Sequence, residues 1–183
     1  DFIVSSANKC IQGVPGFSFI ICRHDSLAAC EGKARSLSLD HYDQWKTMEK
    51  DGKWRFTSLT HTVLAFAKAL EELDEEGGIP ARSKRYYDNN RLLISEMKKM
   101  GIRPYIDNEY QGPIITTFFY PEHHQFSFQE MYEYIKDRGY AIYPGKVTDA
   151  DTFRIGNIGE IYEEDILKLT AILKDFFAQM NAD

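Results

Sequence analysis

The sequence predicts an α/β chain, the end of a larger α/β domain followed by a small C-terminal α+β domain. Three observations lead there. Two nearly continuous apolar runs, residues 2–5 and 17–22, read as strands covered on both faces. Behind them come segments with apolar residues at helical spacing and recognisable start and stop residues. Beyond residue 100 the order strand, strand, helix, strand, strand, helix describes a short sheet with helices on one face. The boundary is placed at the Gly77-Gly78 pair, so that residues 1–78 belong to the first part and 79–183 to the second.

Taken in order, the strands 2–5 and 17–22 flank a turn region containing Lys9, Gly13, Pro15 and Gly16. Asp40 is placed to cap a short helix with Tyr42, Trp45 and Met48 on one side, and Gly52 to end it. A clear helix follows Thr57, Ser58 and Thr60, with Val63, Phe66, Ala67, Leu70 and Leu73 on its apolar face. Gly77-Gly78 stops it and Pro80 starts the next, which carries Tyr86, Leu93, Met97 and Met100 on one face and Gly101 at its C-terminal cap. Strands are expected over 102–106 and 114–120. Ser127-Phe128-Gln129-Glu130 is a capping box, with Phe126 and Met131 as its hydrophobic staple, opening a helix that runs to Arg138 and Gly139. Strands over 140–143 and 152–155 and a helix over 163–180 complete the chain.

Composition narrows the function. The net charge is −6 and there is no basic block, whereas binding a phosphate backbone needs clustered positive charge, so no nucleic-acid partner is expected. The three cysteines form no CxxC pair, which argues against a disulfide framework or zinc knuckle and for a reducing, cytoplasmic setting. No stretch approaches the ~20 apolar residues of a membrane span, and no cationic leader precedes an apolar run. Aromatic residues reach 14%, which hints at apolar surface meant for a partner or for more of the chain. The chain also opens directly on a strand with no Met before it, so it is expected to be part of a longer polypeptide.

Most of the chemistry lies in Ser5-Ser6-Ala7-Asn8-Lys9-Cys10-Ile11-Gln12-Gly13-Val14-Pro15-Gly16. An apolar strand leads into small residues, then a lysine, then a glycine-punctuated turn into another apolar strand. Small side chains leave room for a ligand beside the lysine. A lysine partly desolvated at a sheet end can lose its proton and act as an amine nucleophile toward an aldehyde. Taken on local composition alone, a solvated, inert loop lysine is the commoner reading. Thr57 and Ser58 place hydroxyls beside a helix start, where an anion is favoured, although taken on the residues alone a plain helix cap is the commoner reading. Arg154 could grip a carboxylate through two parallel hydrogen bonds or make a structural salt bridge. No metal site is expected, and His123-His124 read as exposed loop residues. His61 is expected to pack at the helix start, Cys10 to fill space beside Lys9, and the acidic residues from Glu71 to Glu76 to form a solvated helix end.

The lysine segment through Phe17 closely resembles the cofactor-lysine segment of 2-aminoethylphosphonate–pyruvate transaminases, which are class V, fold-type-I aminotransferases. Two further segments agree in order and spacing, Trp54-Arg55-Phe56-Thr57-Ser58-Leu59-Thr60-His61 and Thr152-Phe153-Arg154-Ile155-Gly156-Asn157-Ile158-Gly159. The resemblance implies the fold-type-I architecture of pyridoxal-phosphate-dependent transferases, present here in part. It implies that Lys9 carries pyridoxal phosphate and moves a proton during amino transfer. It implies that Thr57 helps hold the cofactor phosphate for the neighbouring subunit of a homodimer, and that Arg154 receives the carboxylate of pyruvate or alanine. In that family an aspartate opposite the pyridine nitrogen, an aromatic over the ring and a phosphate-binding turn all precede the lysine. This chain alone is therefore expected not to transaminate and to hold the cofactor weakly. Two alternatives are an alanine- or serine–glyoxylate aminotransferase of the same class, and a non-catalytic domain that mediates subunit contacts.

Overall fold

A computed structural model describes residues 1–122, 126–145 and 150–180. The chain forms two compact units, Asp1–Leu73 and Asp74–Asp183.

In the first unit β1 (Phe2–Ser6) pairs antiparallel with β2 (Ser18–Cys22), Phe2 opposite Cys22 and Ser6 opposite Ser18. The strands stand where the apolar runs put them, but they are not covered on both faces. Ile3, Val4 and Ile21 are 64%, 67% and 61% exposed. Phe17, Phe19 and Phe66 instead build a small aromatic cluster, with ring centres 5.3 and 5.4 Å apart. After the short α1 (His24–Ala28), Asp40 caps α2 (His41–Asp51) by accepting the Asp43 N–H at 3.1 Å. Gly52, at φ +72°, ends α2 in the left-handed conformation that a residue without Cβ adopts at little cost. Tyr42 and Trp45 are half-buried as expected, whereas Met48 is exposed.

Helix α3 (Thr60–Glu75) has a packing face rotated from the expected one. Val63, Phe66 and Leu73 are half-buried and Ala69 is buried, while Ala67 and Leu70 are exposed.

The second unit is built on α4 (Gly78–Lys99), which buries Tyr86, Leu93 and Met97 and half-buries Met100. It ends in a Schellman motif, with Gly101 N–H donating to Lys98 O at 3.0 Å and Ile102 N–H to Met97 O at 3.0 Å. Ile102 and Met97 both join the core beneath. The sheet runs β3–β5–β4, all antiparallel, from β3 (Ile115–Phe119), β4 (Tyr143–Pro144) and β5 (Thr152–Gly156). The strand expected over 102–106 is reduced to a single bridge, Pro104 to Phe118. Proline has no N–H to continue a ladder, so only its neighbours bond, Tyr105 N–H to Thr117 O and Phe119 N–H to Arg103 O. The strand expected over 140–143 shrinks to β4 because Tyr140 N–H turns back to Ile135 O and Ile142 drops into the core.

Ser127 caps α5 (Phe128–Lys136) through the Glu130 N–H at 3.3 Å, and Phe126 and Met131 meet the same core. The helix ends at Lys136, short of Arg138, and Gly139 turns the chain at φ +89°. Helix α6 (Glu163–Met180) spans the expected range and buries Ile166, Leu169, Leu173 and Phe177. These side chains pack with Leu93, Met97, Phe118, Met131, Ile135, Phe153 and Ile155 into one apolar core. His123 and His124 lie outside the described residues.

Candidate functional site

The lysine loop closes on itself. Ala7, fully buried at the end of β1, accepts the Gly13 N–H at 2.9 Å, and Lys9 O accepts the Gln12 N–H at 2.8 Å. Gln12 holds φ +64°, a left-handed conformation that a side chain makes unfavourable. A Cβ on Gly13 would lie 2.8 Å from Ala7 O, so the turn needs glycine there. Lys9 stands in this loop, exposed rather than partly desolvated as expected, and its amine makes no hydrogen bond or ion pair among the described residues. Cys10 is also exposed, so it does not act as packing beside Lys9.

The far limb of the loop rests on the start of α3. A Cβ on Gly16 would lie 2.6 Å from Thr62 Cγ2, and Phe17 packs edge-on to Phe66. Thr57 lies just before the same helix. It is exposed and makes no hydrogen bond among the described residues, so it is not a helix cap. Ser58 and Thr60 pair their hydroxyls at 2.7 Å, and Thr62 Oγ1 donates to Leu59 O. His61 is exposed instead of packed. The segment around Thr57 is pinned by Arg55, whose side chain is only 7% exposed. Its Nε meets the Asp43 carboxylate at 2.8 Å and its Nη1 donates to Asp40 O at 2.9 Å. Arg55 thereby ties the Thr57 segment to the capped start of α2. Nothing in the local sequence marked this arginine as buried.

Arg154 belongs to the second unit. It sits mid-way along β5, opposite Thr117 on β3 and Tyr143 on β4. Its neighbours Phe153 and Ile155 are buried in the core, and strand alternation sends Arg154 to the other face. There it is half-buried, with Nε donating to Pro144 O at 3.1 Å. No carboxylate pairs with it among the described residues, so the salt-bridge alternative finds no partner there.

A second cationic cluster was not foreseen. Glu76, expected on a solvated helix end, is held between Arg82 and Arg85, with Arg85 Nε on Oε1 at 2.7 Å and Arg82 Nε on Oε2. The Arg85 hydrogen bond, reinforced by Arg82 and opposed by burial, holds the Glu76 carboxyl below its usual range. The same bond raises Arg85. Among the described residues no group of three or more His, Cys, Asp or Glu side chains is placed to hold a metal ion, and no helix is long and apolar enough to cross a membrane.

The first unit offers a primary amine on a glycine-closed loop and a hydroxyl before a helix, neither of them hydrogen-bonded among the described residues. The second offers a guanidinium facing away from its core. These groups can bond an aldehyde, hydrogen-bond an anion and grip a carboxylate, respectively.

No protein-family model matches the chain. Curated relatives do. The chain is 58% identical over 181 residues to the 2-aminoethylphosphonate–pyruvate transaminase of Lysinibacillus sphaericus (strain C3-41), covering 99% of this chain and 49% of that protein. Among solved structures, an aspartate aminotransferase of subgroup IV from Thermus thermophilus superposes with a TM-score of 0.81 at 23% identity, covering 98% of this chain and 49% of the other. Pyridoxamine–pyruvate aminotransferase from Mesorhizobium loti gives 0.83 at 16% identity, covering 99% and 47%. The fold is thus that of the fold-type-I aminotransferases, present in part. By sequence the chain is similar to curated 2-aminoethylphosphonate–pyruvate transaminases and spans about half the length of those relatives.

Proposed function

We propose that the chain is the lysine-bearing half of a pyridoxal-phosphate-dependent transaminase that moves the amino group of 2-aminoethylphosphonate to pyruvate, giving phosphonoacetaldehyde and L-alanine. The observation that carries this reading is the 58% identity across 99% of the chain, which takes in the lysine loop, the Thr57 segment and the Arg154 strand together. In this reading residues 1–78 complete a large cofactor-binding domain and 79–183 form the small domain. The enzyme is a cytoplasmic homodimer.

The residues present fit the cofactor. Lys9 offers an amine with no partner among the described residues, next to Ala7 and a Gly13 whose Cβ would collide with the backbone. Thr57 offers a hydroxyl that no helix terminus uses. When bound, the cofactor supplies the electron sink for carbanion chemistry. Lys9 Nζ would hold the cofactor through its aldehyde. When not engaged by the cofactor, Nζ would serve as the base that accepts the proton from the amine-bearing substrate carbon. Thr57 Oγ1 would hydrogen-bond the phosphate of the neighbouring subunit's cofactor. Arg154 holds the carboxylate of pyruvate, and of the alanine that forms, with two parallel bonds.

The test is a substrate matrix on the complete enzyme. With 2-aminoethylphosphonate as donor and pyruvate as acceptor, alanine and phosphonoacetaldehyde accumulate in equal amounts. Faster turnover of alanine or serine with glyoxylate would replace this reading with the glyoxylate-linked one. No turnover with any pair would leave a domain that only mediates subunit contacts.

A further inference from the structure

Among the described residues the Arg154 side chain makes one hydrogen bond, to Pro144 O, so its place depends on where β5 is held. The strand is held at its exit. Asn157, three residues on, is completely buried. Its main-chain N–H donates to Ile114 O at 3.0 Å, prolonging the β3–β5 ladder beyond Gly156. Its side-chain Nδ2 donates to Pro113 O at 2.7 Å and to Tyr86 O at 3.2 Å. One side chain therefore joins the end of β5 to the approach to β3 and to the backbone of α4. Beyond it, Arg85 Nη1 donates to Gly159 O at 2.8 Å and Ile161 O at 3.0 Å, and Asn89 Nδ2 to Ile161 O at 2.7 Å. These later bonds secure the turn into α6, downstream of the strand.

The chemistry of Asn157 suits a donor-only task. Its two amide hydrogens reach two separate carbonyls, whereas Oδ1 is buried with no partner among the described residues. Stranding an acceptor is unfavourable, so the side chain is retained for its donors. Aspartate has the same shape but no donor when ionised, and serine has only one.

We infer that Asn157 is a positioning residue for substrate carboxylate binding: by locking the end of β5 to α4 and to residues 113–114, it sets where the Arg154 guanidinium meets the carboxylate. This inference rests on the reading of Arg154 given above.

The experiment compares Asn157→Ala, Asn89→Ala and Arg154→Lys in the complete enzyme, measuring KM and kcat for pyruvate, thermal midpoint and cofactor absorbance. Asn89 is a matched control, because it is also buried and also donates to a backbone carbonyl, but downstream of the strand. A misplacement of 1 Å can cost ~10²-fold in rate, and a smaller shift of one guanidinium is expected to raise KM roughly tenfold. Asn157→Ala should show that rise with kcat and absorbance nearly unchanged. Asn89→Ala should lower the thermal midpoint without moving KM. If Asn157→Ala does not fold, Asn157→Ser gives the same comparison. A KM for the Asn157 variant that matches wild type, while Arg154→Lys raises it, overturns the positioning role alone. An unchanged KM in Arg154→Lys overturns the Arg154 reading and this inference with it.

Discussion

Glu76 is the residue whose setting departs furthest from its sequence context. It ends an acidic run, yet its side chain is only 22% exposed and touches two guanidinium groups that are themselves 6% and 12% exposed. Removing it takes one carboxylate away from both cations, and Glu76→Ala should lower unfolding free energy by about 3 kcal/mol in a urea titration. The pH dependence follows from the direction of the shift. The folded-state value lies below the usual one, so the stabilisation is fully present above the ordinary carboxylate pKa of ~4.3 and is lost as pH falls through the folded value. Urea midpoints measured from neutral pH down into that acid range should fall less steeply for Glu76→Gln than for wild type. Parallel curves would show that this carboxylate does not link folding to pH. The cluster was not legible in the sequence, because Arg85 reaches Gly159 and Ile161, 74 and 76 positions away. Asn157 was hidden in the same way. Lys9, Thr57 and Arg154 became candidates only through the segments around them, since an isolated lysine, threonine or arginine carries no such signal.

At the scale of elements, the parts governed by local chemistry were readable. Asp40, Gly52, Gly101 and Ser127 all sit at helix ends where side-chain caps or a left-handed turn are required. The short strands were less so. Whether residues 102–106 or 140–143 pair depends on which neighbours the fold supplies, and Pro104 prevents a regular ladder. The face of α3 was misread because Phe66 turns toward Phe17 and Phe19, a contact across the chain that helical spacing does not encode. The lysine loop itself makes a sharp prediction. Gly13→Ala would push a Cβ to within 2.8 Å of a backbone oxygen that cannot rotate away. Overpacking of this kind costs about 1–3 kcal/mol. Its thermal midpoint should fall and cofactor should be retained less well, whereas Gly32→Ala, which has open space but a left-handed φ, tests backbone strain without the clash. Equal effects of the two would remove close approach as the reason for Gly13.

At the scale of the whole molecule, Ile3 and Val4 of β1 and Ile21 of β2 are exposed, and the chain spans about half the length of its curated relative. The proposed sharing of the site across a homodimer has a specific consequence. A Lys9→Ala subunit keeps Thr57, and a Thr57→Val subunit keeps Lys9. Dissociated and reassociated together, they should form hybrid dimers with one intact site, restoring up to about a quarter of wild-type activity. Additive residual activity without recovery would place Lys9 and Thr57 in the same subunit's site or remove Thr57 from it. The central claim is narrower still, that Lys9 is the residue bonded to pyridoxal phosphate. Borohydride reduction of the complete enzyme followed by peptide mass mapping tests it most directly. The account predicts one pyridoxyl phosphate adduct per subunit, on the peptide containing Lys9. An adduct on another lysine, or full cofactor attachment and turnover in Lys9→Ala, would contradict it.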